Sequence, residues 1–393
     1  MIPYGKHFID EADIQAVVDV LRSGFLTQGP TIAEFENAFS NYVGSKYAVA
    51  VSSCTAGLHL AALAAGLAPG DTLITSPITF VASANAGLYA GANVTFADID
   101  PCTVNMDPAA LAASLEDNPR TKVVVPVHFA GLPCEMEPIK SICDRAGAVV
   151  IEDAAHGLGA TYKNGQRVGS CCYSLMTVFS LHPVKTIAAG EGGIITTNDE
   201  SVYRLLMRLR SHGINKLDDQ FIIKEQAYTE QVPNSWYYEM QELGFHYRIT
   251  DIQCALALSQ LAKLEKFLKK RLEISEKYDA VFANHEYLRP FQAGQRLSSG
   301  NHIYTLSIEF DRIGIPRQQV MQSLRDFGIG TQVHYLPVPM HPFYTRRGHN
   351  MAKLPNAAEY YAKTLTIPLY YSLSTSDQDL IVDKLADIFG PLV

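Results

Sequence analysis

Residues 178–193, VFSLHPVKTIAAGEGG, combine an apolar run with a lysine and a glycine-rich turn. The apolar run ends near Ser180, Lys185 follows in the next loop, and glycines close the stretch. Short apolar runs of this kind are typical of buried strands in a parallel sheet, whose ligands bind outside the carboxyl ends of the strands. The stretch therefore predicts such a sheet and places Lys185 where a ligand would bind.

Short strands and helices alternate through the rest of the N-terminal half. Residues 10–24 place apolar residues at helical spacing between an acidic start and Gly24, which predicts a first helix. The predicted strands lie in YAVAVS (47–52), TLITS (72–76), NVTFADI (93–99), KVVVPVH (122–128), AVVIED (148–153), LMTVFSL (175–181) and GGIITT (192–197). Most are separated by helical patterns, so we predict an α/β fold whose large domain holds a mainly parallel seven-stranded sheet flanked by helices.

The pattern of the chain changes after residue 245. Residues 249–284 predict one long charged helix. Further predicted elements are a strand in 302–310 and helices in 316–328 and 376–390. We therefore predict two domains, with an N-terminal arm and a large domain in 1–248 and the linking helix and a smaller C-terminal α/β domain in 249–393. Residues 216–241 fit neither pattern and predict a surface excursion.

Composition excludes several classes of protein. A chain of 393 residues with 47% hydrophobic and 18% charged residues can bury a sizeable core. A formal net charge of -8 opposes nucleic acid or an anionic membrane as a main partner, since either would favour a basic face. The seven cysteines have neither zinc-site nor disulfide-framework spacing, and the polar start lacks an apolar signal core. We therefore expect a soluble protein with reduced thiols in the cytoplasm.

The first group of candidate site residues lies in 51–63, VSSCTAGLHLAAL, where a strand gives way to a helix. The small residues Ser53, Thr55 and Ala56 would let the backbone approach an anion, and a helix N-terminus supplies unpaired N–H groups. This arrangement suits a phosphate group. The same residues would also suit an ordinary Ser or Thr cap at a helix N-terminus.

A carboxylate marks the end of another strand. In 149–160, VVIEDAAHGLGA, Asp153 ends the run and His156 follows three residues later. A buried carboxylate needs a cationic partner or several hydrogen bonds, and a protonated heterocyclic nitrogen would serve. The structural alternative is an Asp that caps the next helix beside a packed His.

The loop after Ser180 and the segment around Phe80 complete the candidate site. The Ser180 hydroxyl could reach the phosphate, and burial would make the Lys185 amine a nucleophile by favouring its neutral form. Phe80 follows a strand in 76–87, SPITFVASANAG, and could lie flat on a planar ring. The alternatives are a solvated loop lysine and a core phenylalanine.

Together, these features match the requirements of one cofactor, pyridoxal phosphate (PLP). PLP needs an amine for its aldehyde, a carboxylate for its ring nitrogen and an anion site for its phosphate. Lys185, Asp153 and the segment around Thr55 supply these three groups, and Phe80 supplies an aromatic plate for the ring. The sequence therefore predicts a PLP enzyme.

Several stretches of the chain also match the motifs of one enzyme family. They are LTQGP (26–30), SSCTAGLHL (52–60), TFVASANA (79–86), IEDAAHGLGA (151–160), FSLHPVKTIAAGEGG (179–193), RSHGI (210–214) and YRITDIQCAL (247–256). On these residues the chain resembles the sugar aminotransferases of the DegT/DnrJ/EryC1/StrS family over essentially its full length. The resemblance implies the PLP-dependent transferase fold type I. Within the family, stretches such as 3–30, 127–136, 235–245 and 367–379 are most similar to members that act in pseudaminic acid biosynthesis.

The resemblance assigns roles to the candidate residues. Its cofactor residues are Lys185 for the Schiff base, Asp153 for the ring nitrogen, Thr55, Ala56 and Ser180 for the phosphate, Phe80 for the ring face and His156 beside the ring. It implies that L-glutamate donates the amino group and leaves pyridoxamine phosphate (PMP), and that Lys185 moves protons in both half-reactions. The implied acceptor is C4 of a UDP-linked 4-keto-6-deoxy-N-acetylhexosamine, UDP-2-acetamido-2,6-dideoxy-β-L-arabino-hexos-4-ulose.

The resemblance also implies a set of residues that bind the nucleotide sugar. They are Tyr4, Phe25, Leu26, Thr27, Ser53, Gln332, Val333, His334 and Tyr335. The last four lie in 331–339, TQVHYLPVP, which is typical of a short strand that runs into a proline turn at the rim of a pocket. A simple packing corner would have the same pattern.

One position departs from the family. Relatives carry Asn in the word GFNYR, where it reaches the cofactor phosphate of a neighbouring subunit, whereas 244–248 read GFHYR and place His246 there. An imidazole can still donate a hydrogen bond, but its charge changes near neutral pH. We expect His246 to keep the contact, which implies an obligate homodimer.

Other functions are compatible with parts of the pattern. A PMP-dependent dehydratase would carry His at the position of Lys185, and a nicotinamide dehydrogenase would need a GxGxxG turn after the first strand, which is absent. A catalytically silent sugar-binding or regulatory protein of the same fold is a third possibility. The sequence also leaves open a sugar acceptor of glucose-type C5 configuration or one linked to GDP or dTDP.

Overall fold

Strands and helices alternate along the first half of the chain, as the apolar runs predict. The computed structural model describes residues 1–215 and 221–391. The α-helices in these ranges are α1 (Glu11–Arg22), α2 (Pro30–Val43), α3 (Cys54–Ala64), α4 (Ala82–Tyr89), α5 (Pro108–Asp117), α6 (Met136–Ala146), α7 (Glu200–Arg210), α8 (Lys224–Ala227), α9 (Asp251–Leu261), α10 (Leu264–Phe282), α11 (Phe310–Ile313), α12 (Arg317–Asp326), α13 (Pro342–Thr345), α14 (Pro355–Lys363) and α15 (Thr375–Phe389). The β-strands are β1 (Tyr47–Val51), β2 (Thr72–Thr75), β3 (Asn93–Phe96), β4 (Thr121–Val125), β5 (Val149–Asp153), β6 (Met176–Ser180), β7 (Gly193–Thr197), β8 (Ile214–Asn215), β9 (Tyr228–Thr229), β10 (Val232–Pro233), β11 (Glu239–Met240), β12 (Leu288–Pro290), β13 (Tyr304–Ile308) and β14 (Thr364–Ile367).

The first seven strands form one sheet in the order β1-β7-β6-β5-β4-β2-β3. Strand β7 runs antiparallel to both of its neighbours, and the other adjacent pairs are parallel. The prediction of a mainly parallel seven-stranded sheet is therefore confirmed, and each predicted strand overlaps one of these elements, although β4 begins one residue before the predicted run, at Thr121. The carboxyl ends of the parallel strands meet at one edge of the sheet, where a ligand site is expected.

Helices cover both faces of this sheet, and α3 packs closely against it. Its position Gly57 makes this approach possible, because a Cβ atom there would lie 2.8 Å from Cγ1 of Val178 on β6. The absence of a side chain thus brings the helix N-terminus close to the sheet edge. The neighbouring helical residues Leu58 and Leu60 are buried in the same core.

The prediction of one helix over 249–284 is wrong, because the segment forms α9 and α10 with a break between them. The break lies at Ala262 and Lys263, where the Lys263 Nζ reaches Oδ2 of the fully buried Asp13 at 2.7 Å. Gln260 donates to the same oxygen atom at 2.8 Å. These contacts to α1 are long-range, so the local helical pattern did not reveal the break.

The C-terminal part forms a smaller layer of helices on the three-stranded antiparallel sheet β12-β13-β14. Helices α10, α12 and α15 contribute to its apolar core. The segment around α13 and α14 packs on the large sheet instead, since Tyr344 and Tyr360 belong to the core of that sheet. Asp98 further caps α14 by accepting hydrogen bonds from two of its N–H groups. The boundary at 248 and 249 stays a proposal.

The predicted excursion over 216–241 lies partly outside the described residues, which resume at 221. From there the segment is mostly exposed, and the Trp236 side chain is 74% exposed. Within residues 1–215 and 221–391, every helix is too short or too polar to span a bilayer.

Candidate active site

A cavity of about 580 Å³ opens at the carboxyl edge of the large sheet. It is lined by residues from the ends of several strands, from the N-terminus of α3 and from the C-terminal part. These residues are Tyr4, Ser53, Cys54, Thr55, Leu58, Thr79, Phe80, Ala82, Val127, Asp153, Ala155, His156, Ser180, His182, Val184, Lys185, Glu191, His302, Gln332, Val333, His334 and Tyr335. The position of this cavity is the one that the order of the strands predicts.

The N-terminus of α3 forms one wall of the cavity. Ser53 is its N-cap, and the Ser53 Oγ accepts a hydrogen bond from the Ala56 N–H at 3.1 Å. Strand β7 passes directly beneath, because a Cβ atom on Gly193 would lie 2.6 Å from the Cys54 backbone nitrogen. Helix N–H groups and Thr55 thus face a space that suits an anion.

Lys185 lies in the loop after β6, where its N–H donates to the His182 carbonyl oxygen at 2.8 Å. Burial lowers the pKa of the Lys185 amine from its ordinary value of 10.5 to about 8, although the neighbouring Cys54 and Asp153 side chains act in the opposite direction. Burial also raises the pKa of the Cys54 thiol well above its ordinary value. At pH 7 about one tenth of Lys185 is therefore the neutral, nucleophilic amine, and this fraction reaches about one half at pH 8.

Asp153 ends β5 and is 4% exposed. Its Oδ1 accepts the Ala155 N–H at 3.0 Å, and its Oδ2 accepts the Ser83 hydroxyl at 2.6 Å. A carboxylate offers about four lone-pair positions, so these two contacts leave capacity for a further donor from the cavity.

Three buried histidines, His156, His302 and His334, line the same cavity as Lys185 and form what we call the histidine wall. His156 Nε2 lies 3.1 Å from the Tyr335 hydroxyl, and the His156 and His302 ring centroids are 4.4 Å apart. Nδ1 of His334 lies 2.9 Å from the Thr366 hydroxyl. Burial, with a smaller contribution from the Lys185 charge, lowers the pKa of His334 to about 3. Burial is also the largest cause that holds the pKa values of His156 and His302 well below the ordinary value, and neighbouring groups that include Lys185 lower them further.

A buried arginine anchors the loop that carries His302. Arg271 Nη1 donates to the carbonyl oxygens of His302 at 3.0 Å and Leu369 at 3.2 Å. The His302 N–H donates in turn to the carbonyl oxygen of Ala130, in the short turn that follows β4, at 2.8 Å. Since burial lowers the pKa of Arg271 only to about 10, the guanidinium stays charged at neutral pH. These contacts fix His302 against the large sheet.

Most of the residues predicted for the site lie together in this cavity. The predicted residues that line it are Tyr4, Ser53, Thr55, Phe80, Asp153, His156, Ser180, Lys185, Gln332, Val333, His334 and Tyr335. The Phe80 side chain is 60% exposed at the cavity, so it is not a core residue. The Ala56 side chain is buried and does not line the cavity. Its N–H already donates to the Oγ of Ser53, the N-cap of α3.

Four other predicted residues lie outside the cavity of their own chain. Phe25 and Leu26 are 56% and 50% exposed in the turn before α2, and the neighbouring Thr27 is also exposed. His246 is exposed as well, and its ring packs against His212 at 5.4 Å. Within one chain, the structure does not bring these four residues to Lys185.

Sequence reasoning missed Ser83, Cys54 and His302. Ser83 stands four residues after Thr79, a helical spacing that places both hydroxyls on one face. Cys54 lies inside the small-residue run before α3 and could have been included with its neighbours. His302 has no local pattern that links it to the site, because its contact with His156 spans 146 residues of chain.

The residues of the cavity fit PLP. Lys185 supplies an amine of lowered pKa, Asp153 has free acceptor capacity, and the α3 N-terminus lies over a glycine at position 193. The Nδ1 atom of His156 is buried without a partner among the described residues. Such an unpaired polar atom at a cavity wall is expected where a ligand binds.

The chain is similar to one enzyme family and to a relative of nearly equal length. A model of the DegT/DnrJ/EryC1/StrS aminotransferase family matches residues 7–386. The spore coat polysaccharide biosynthesis protein SpsC of Bacillus subtilis is 40% identical over 391 residues, which cover 98% of this chain and 97% of SpsC.

Solved structures are similar over almost the whole length. Helicobacter pylori PseC, an aminotransferase involved in the biosynthesis of pseudaminic acid, is 31% identical with a TM-score of 0.88 and coverage of 99% of both chains. The candidate sugar aminotransferase Spr1654 from Streptococcus pneumoniae, in its PMP form, is 30% identical with a TM-score of 0.89 and coverage of 100% of both chains. Its PLP form has a TM-score of 0.88 at 29% identity, with coverage of 100% of this chain and 99% of Spr1654. Because the family model spans nearly the whole chain, this protein belongs to the DegT/DnrJ/EryC1/StrS family of PLP-dependent sugar aminotransferases.

Proposed function

We propose that the enzyme transfers an amino group from L-glutamate to C4 of a UDP-linked 4-keto-6-deoxy-N-acetylhexosamine, UDP-2-acetamido-2,6-dideoxy-β-L-arabino-hexos-4-ulose, in pseudaminic acid biosynthesis. The observation that carries amino transfer is the presence of Lys185, with its pKa lowered to about 8, in one cavity with Asp153. The similarity to PseC along 99% of both chains supports the choice of sugar.

Different residues of the cavity would bind different parts of PLP. The N-terminus of α3 with Thr55 and Ser180 would hold its phosphate, Asp153 would accept a hydrogen bond from its ring nitrogen, and Phe80 would cover its ring. When bound, PLP supplies an aldehyde that takes up the amino group and a ring that delocalises the electrons left on the reacting carbon.

Lys185 is the proposed acid and base. Because its pKa of about 8 is close to neutral pH, its Nζ atom exchanges readily between the protonated and the neutral form. It would accept a proton from Cα of glutamate in one half-reaction and return a proton to C4 of the sugar in the other. The same Nζ atom would hold the cofactor aldehyde between turnovers, so the two half-reactions should follow ping-pong kinetics.

The neutral histidines suit an uncharged sugar ring. His156, His302 and His334 offer ring nitrogens that can donate or accept hydrogen bonds at pH values where their charges are absent. Tyr4 packs on His334 with ring centroids 5.3 Å apart, and Gln332 lies beside them at the cavity wall. We propose that this side of the cavity binds the hexosamine.

A second copy of the chain is proposed to complete the site. Within the described ranges, Lys185 is the one lysine or arginine among the residues that line the cavity, so the UDP diphosphate needs cations from elsewhere. His246, Phe25, Leu26 and Thr27 are exposed outside their own cavity and are free to contact a neighbour. We therefore propose an obligate homodimer in which His246 reaches the cofactor phosphate of the partner.

Mixed dimers test this arrangement. Lys185→Ala chains and His246→Ala chains are unfolded together, refolded and assayed beside each parent. If His246 acts in the neighbouring site, each mixed dimer regains one intact site, and the mixture is more active than both parents. A mixture no more active than its parents would contradict a contribution in trans.

A second acceptor class is supported by SpsC, whose identity of 40% exceeds the 31% of PseC. Its name connects it to spore coat polysaccharide and specifies no sugar. The alternative that we propose is a 4-ketosugar of another C5 configuration, or one linked to GDP or dTDP. The unpaired state of all seven cysteines, which lie in the described ranges, supports our proposal of a reducing cytoplasm.

A substrate panel decides between the acceptors. The purified enzyme is incubated with L-glutamate and UDP-, GDP- or dTDP-linked 4-ketosugars of both C5 configurations, and products are identified by mass and NMR. We expect 4-amination of the UDP-linked arabino substrate with the highest kcat/KM. The Lys185→Ala variant, as control, should give no product. Amination of a different sugar with higher kcat/KM would overturn the pseudaminic acid assignment, and no amination of any sugar would overturn the reaction itself.

A further inference from the structure

A pair of hydroxyl groups, from Ser83 and Thr79, lies beside Asp153. The Ser83 Oγ lies 2.6 Å from Asp153 Oδ2 and 2.7 Å from the Thr79 Oγ1. Ser83 is 0% exposed and Thr79 is 3% exposed, so water does not compete for these contacts. The two hydroxyls belong to the segment that also carries Phe80 into the cavity.

The Ser83 hydroxyl has one proton, which determines the hydrogen bond in which it is the donor. A serine hydroxyl has one proton, and a charged carboxylate at 2.6 Å is a stronger acceptor than a neutral hydroxyl or the Phe80 carbonyl oxygen at 3.4 Å. Ser83 therefore donates to Asp153 and accepts from Thr79. A hydroxyl that accepts one hydrogen bond becomes a better donor in the next, so Thr79 strengthens the bond to Asp153.

We propose that Ser83, supported by Thr79, is a positioning residue that orients the Asp153 carboxylate toward the PLP ring nitrogen. This inference rests on the proposed role of Asp153. The Ala155 N–H holds Oδ1 at 3.0 Å and Ser83 holds Oδ2, so the carboxylate is fixed at both oxygens. Its remaining lone pairs then have one orientation before the cofactor binds, which saves the cost of ordering them afterwards.

A purely structural role would have other consequences. If Ser83 only satisfied a buried polar position at the start of α4, its loss would lower stability without acting through Asp153. If it positions Asp153, its loss weakens PLP binding and slows the half-reaction with glutamate, and both effects depend on the carboxylate. A hydrogen bond to a charged acceptor accounts for a change of about tenfold to a hundredfold.

The first experiment compares apoenzyme variants by equilibrium dialysis with PLP and by the rate at which L-glutamate removes the yellow colour. Ser83→Ala should raise the PLP dissociation constant by about tenfold or more. Thr79→Val should have a smaller effect in the same direction, and Ser83→Thr, which keeps a hydroxyl, should recover much of the loss. Ser76→Ala is the matched control, because Ser76 is 1% exposed and accepts a hydrogen bond within its own turn. An unchanged dissociation constant in Ser83→Ala would overturn the inference.

The second experiment is a double-mutant cycle with Asp153→Asn. We expect Ser83→Ala to have little further effect on PLP binding in the Asp153→Asn background, because the group on which it acts is gone. If the two effects simply add, Ser83 does not act through Asp153 and the inference is wrong. If Asp153→Asn alone leaves PLP binding unchanged, the proposed role of Asp153 fails first, and the inference fails with it. If Ser83→Ala does not fold, Thr79→Val takes its place in the test. This variant keeps the Ser83 hydroxyl and removes only the hydrogen bond that Ser83 accepts.

Discussion

The Tyr335 hydroxyl lies 3.1 Å from Nε2 of His156 and joins two parts of the chain that are 179 residues apart. His156 follows β5 of the large sheet, whereas Tyr335 belongs to the segment between α12 and α13. Burial strongly raises the pKa of Tyr335, so its hydroxyl keeps its proton over the physiological pH range. The cavity wall therefore depends on how the C-terminal part packs against the large sheet.

Replacing Tyr335 by Phe should destabilise the protein and loosen the cofactor site. Nδ1 of His156 already has no partner in the described residues, and the change would leave Nε2 unpaired as well. An unsatisfied buried polar group costs about 1–3 kcal/mol, so the free energy of unfolding should fall by that amount. Urea unfolding of the apoenzyme measures it, with Tyr89→Phe as control because Tyr89 is 54% exposed. Equal stability of the two variants would contradict the importance of this contact.

The pKa of Lys185 predicts how covalent capture of the cofactor depends on pH. Because burial lowers this pKa from 10.5 to about 8, the neutral amine increases as the pH rises through that value. The rate of yellow colour formation from apoenzyme and PLP should therefore rise roughly tenfold between about pH 7 and about pH 9. Stopped-flow absorbance measures this rate at a fixed concentration of PLP.

The Lys185→Arg variant is the control for this experiment. It keeps a cation in the loop but has no nucleophilic amine, so no yellow adduct should form at any pH. Borohydride reduction of the wild-type complex, followed by peptide mapping, should place the label on Lys185. A label on another lysine, or a rate independent of pH over this range, would contradict the assigned role.

Local patterns were sufficient to predict the large sheet. The β-branched runs that end at Asp153 and Ser180 are buried strands, and the order of the strands brings both ends to one cavity. The break between α9 and α10 was missed, because Lys263 is a good helix former and its partner Asp13 lies in α1. Helix propensity depends on the local sequence, so it does not predict a contact between Lys263 and Asp13.

The meeting of Lys185 and Asp153 in one cavity was easier to predict than the residues around them. Asp153 ends β5 and Lys185 lies in the loop after β6, so the order of the strands places both at the same edge of the sheet. His302 reaches the site only because Arg271 and Ala130 hold its loop, and these contacts come from distant elements. Short motifs indicate residues near the ends of strands. The positions of His156, His302 and His334 depend instead on how the C-terminal part packs against the large sheet.

Gly193 should be essential for the anion site. A Cβ atom there would lie 2.6 Å from the Cys54 nitrogen and 2.7 Å from the Ser53 carbonyl oxygen, and backbone atoms cannot move aside without shifting the α3 N-terminus. Gly193→Ala should therefore weaken PLP binding by about tenfold or more, equivalent to about 1.4 kcal/mol. Equilibrium dialysis measures the affinity, and circular dichroism checks the fold. Gly24→Ala is the control, since nothing lies within 4 Å of a Cβ atom there; equal affinities would contradict the close approach.

Because His156, His302 and His334 are buried, we expect the protein to lose stability in mild acid. Burial lowers the pKa of His334 to about 3 and holds the pKa values of His156 and His302 well below the ordinary value. In the unfolded chain these side chains take up protons near pH 6.5, so below that pH the unfolded state binds more protons and the free energy of unfolding falls as the pH falls. Each buried imidazole should contribute about 1.4 kcal/mol per pH unit between about pH 6 and about pH 4.

Urea unfolding of the apoenzyme between about pH 6 and about pH 4 measures how steeply the free energy of unfolding depends on pH, and His302→Gln should reduce this slope. His7→Gln, at an exposed position, should leave it unchanged. A His302→Gln slope equal to that of the wild type would show that the folded protein accommodates the charge on His302.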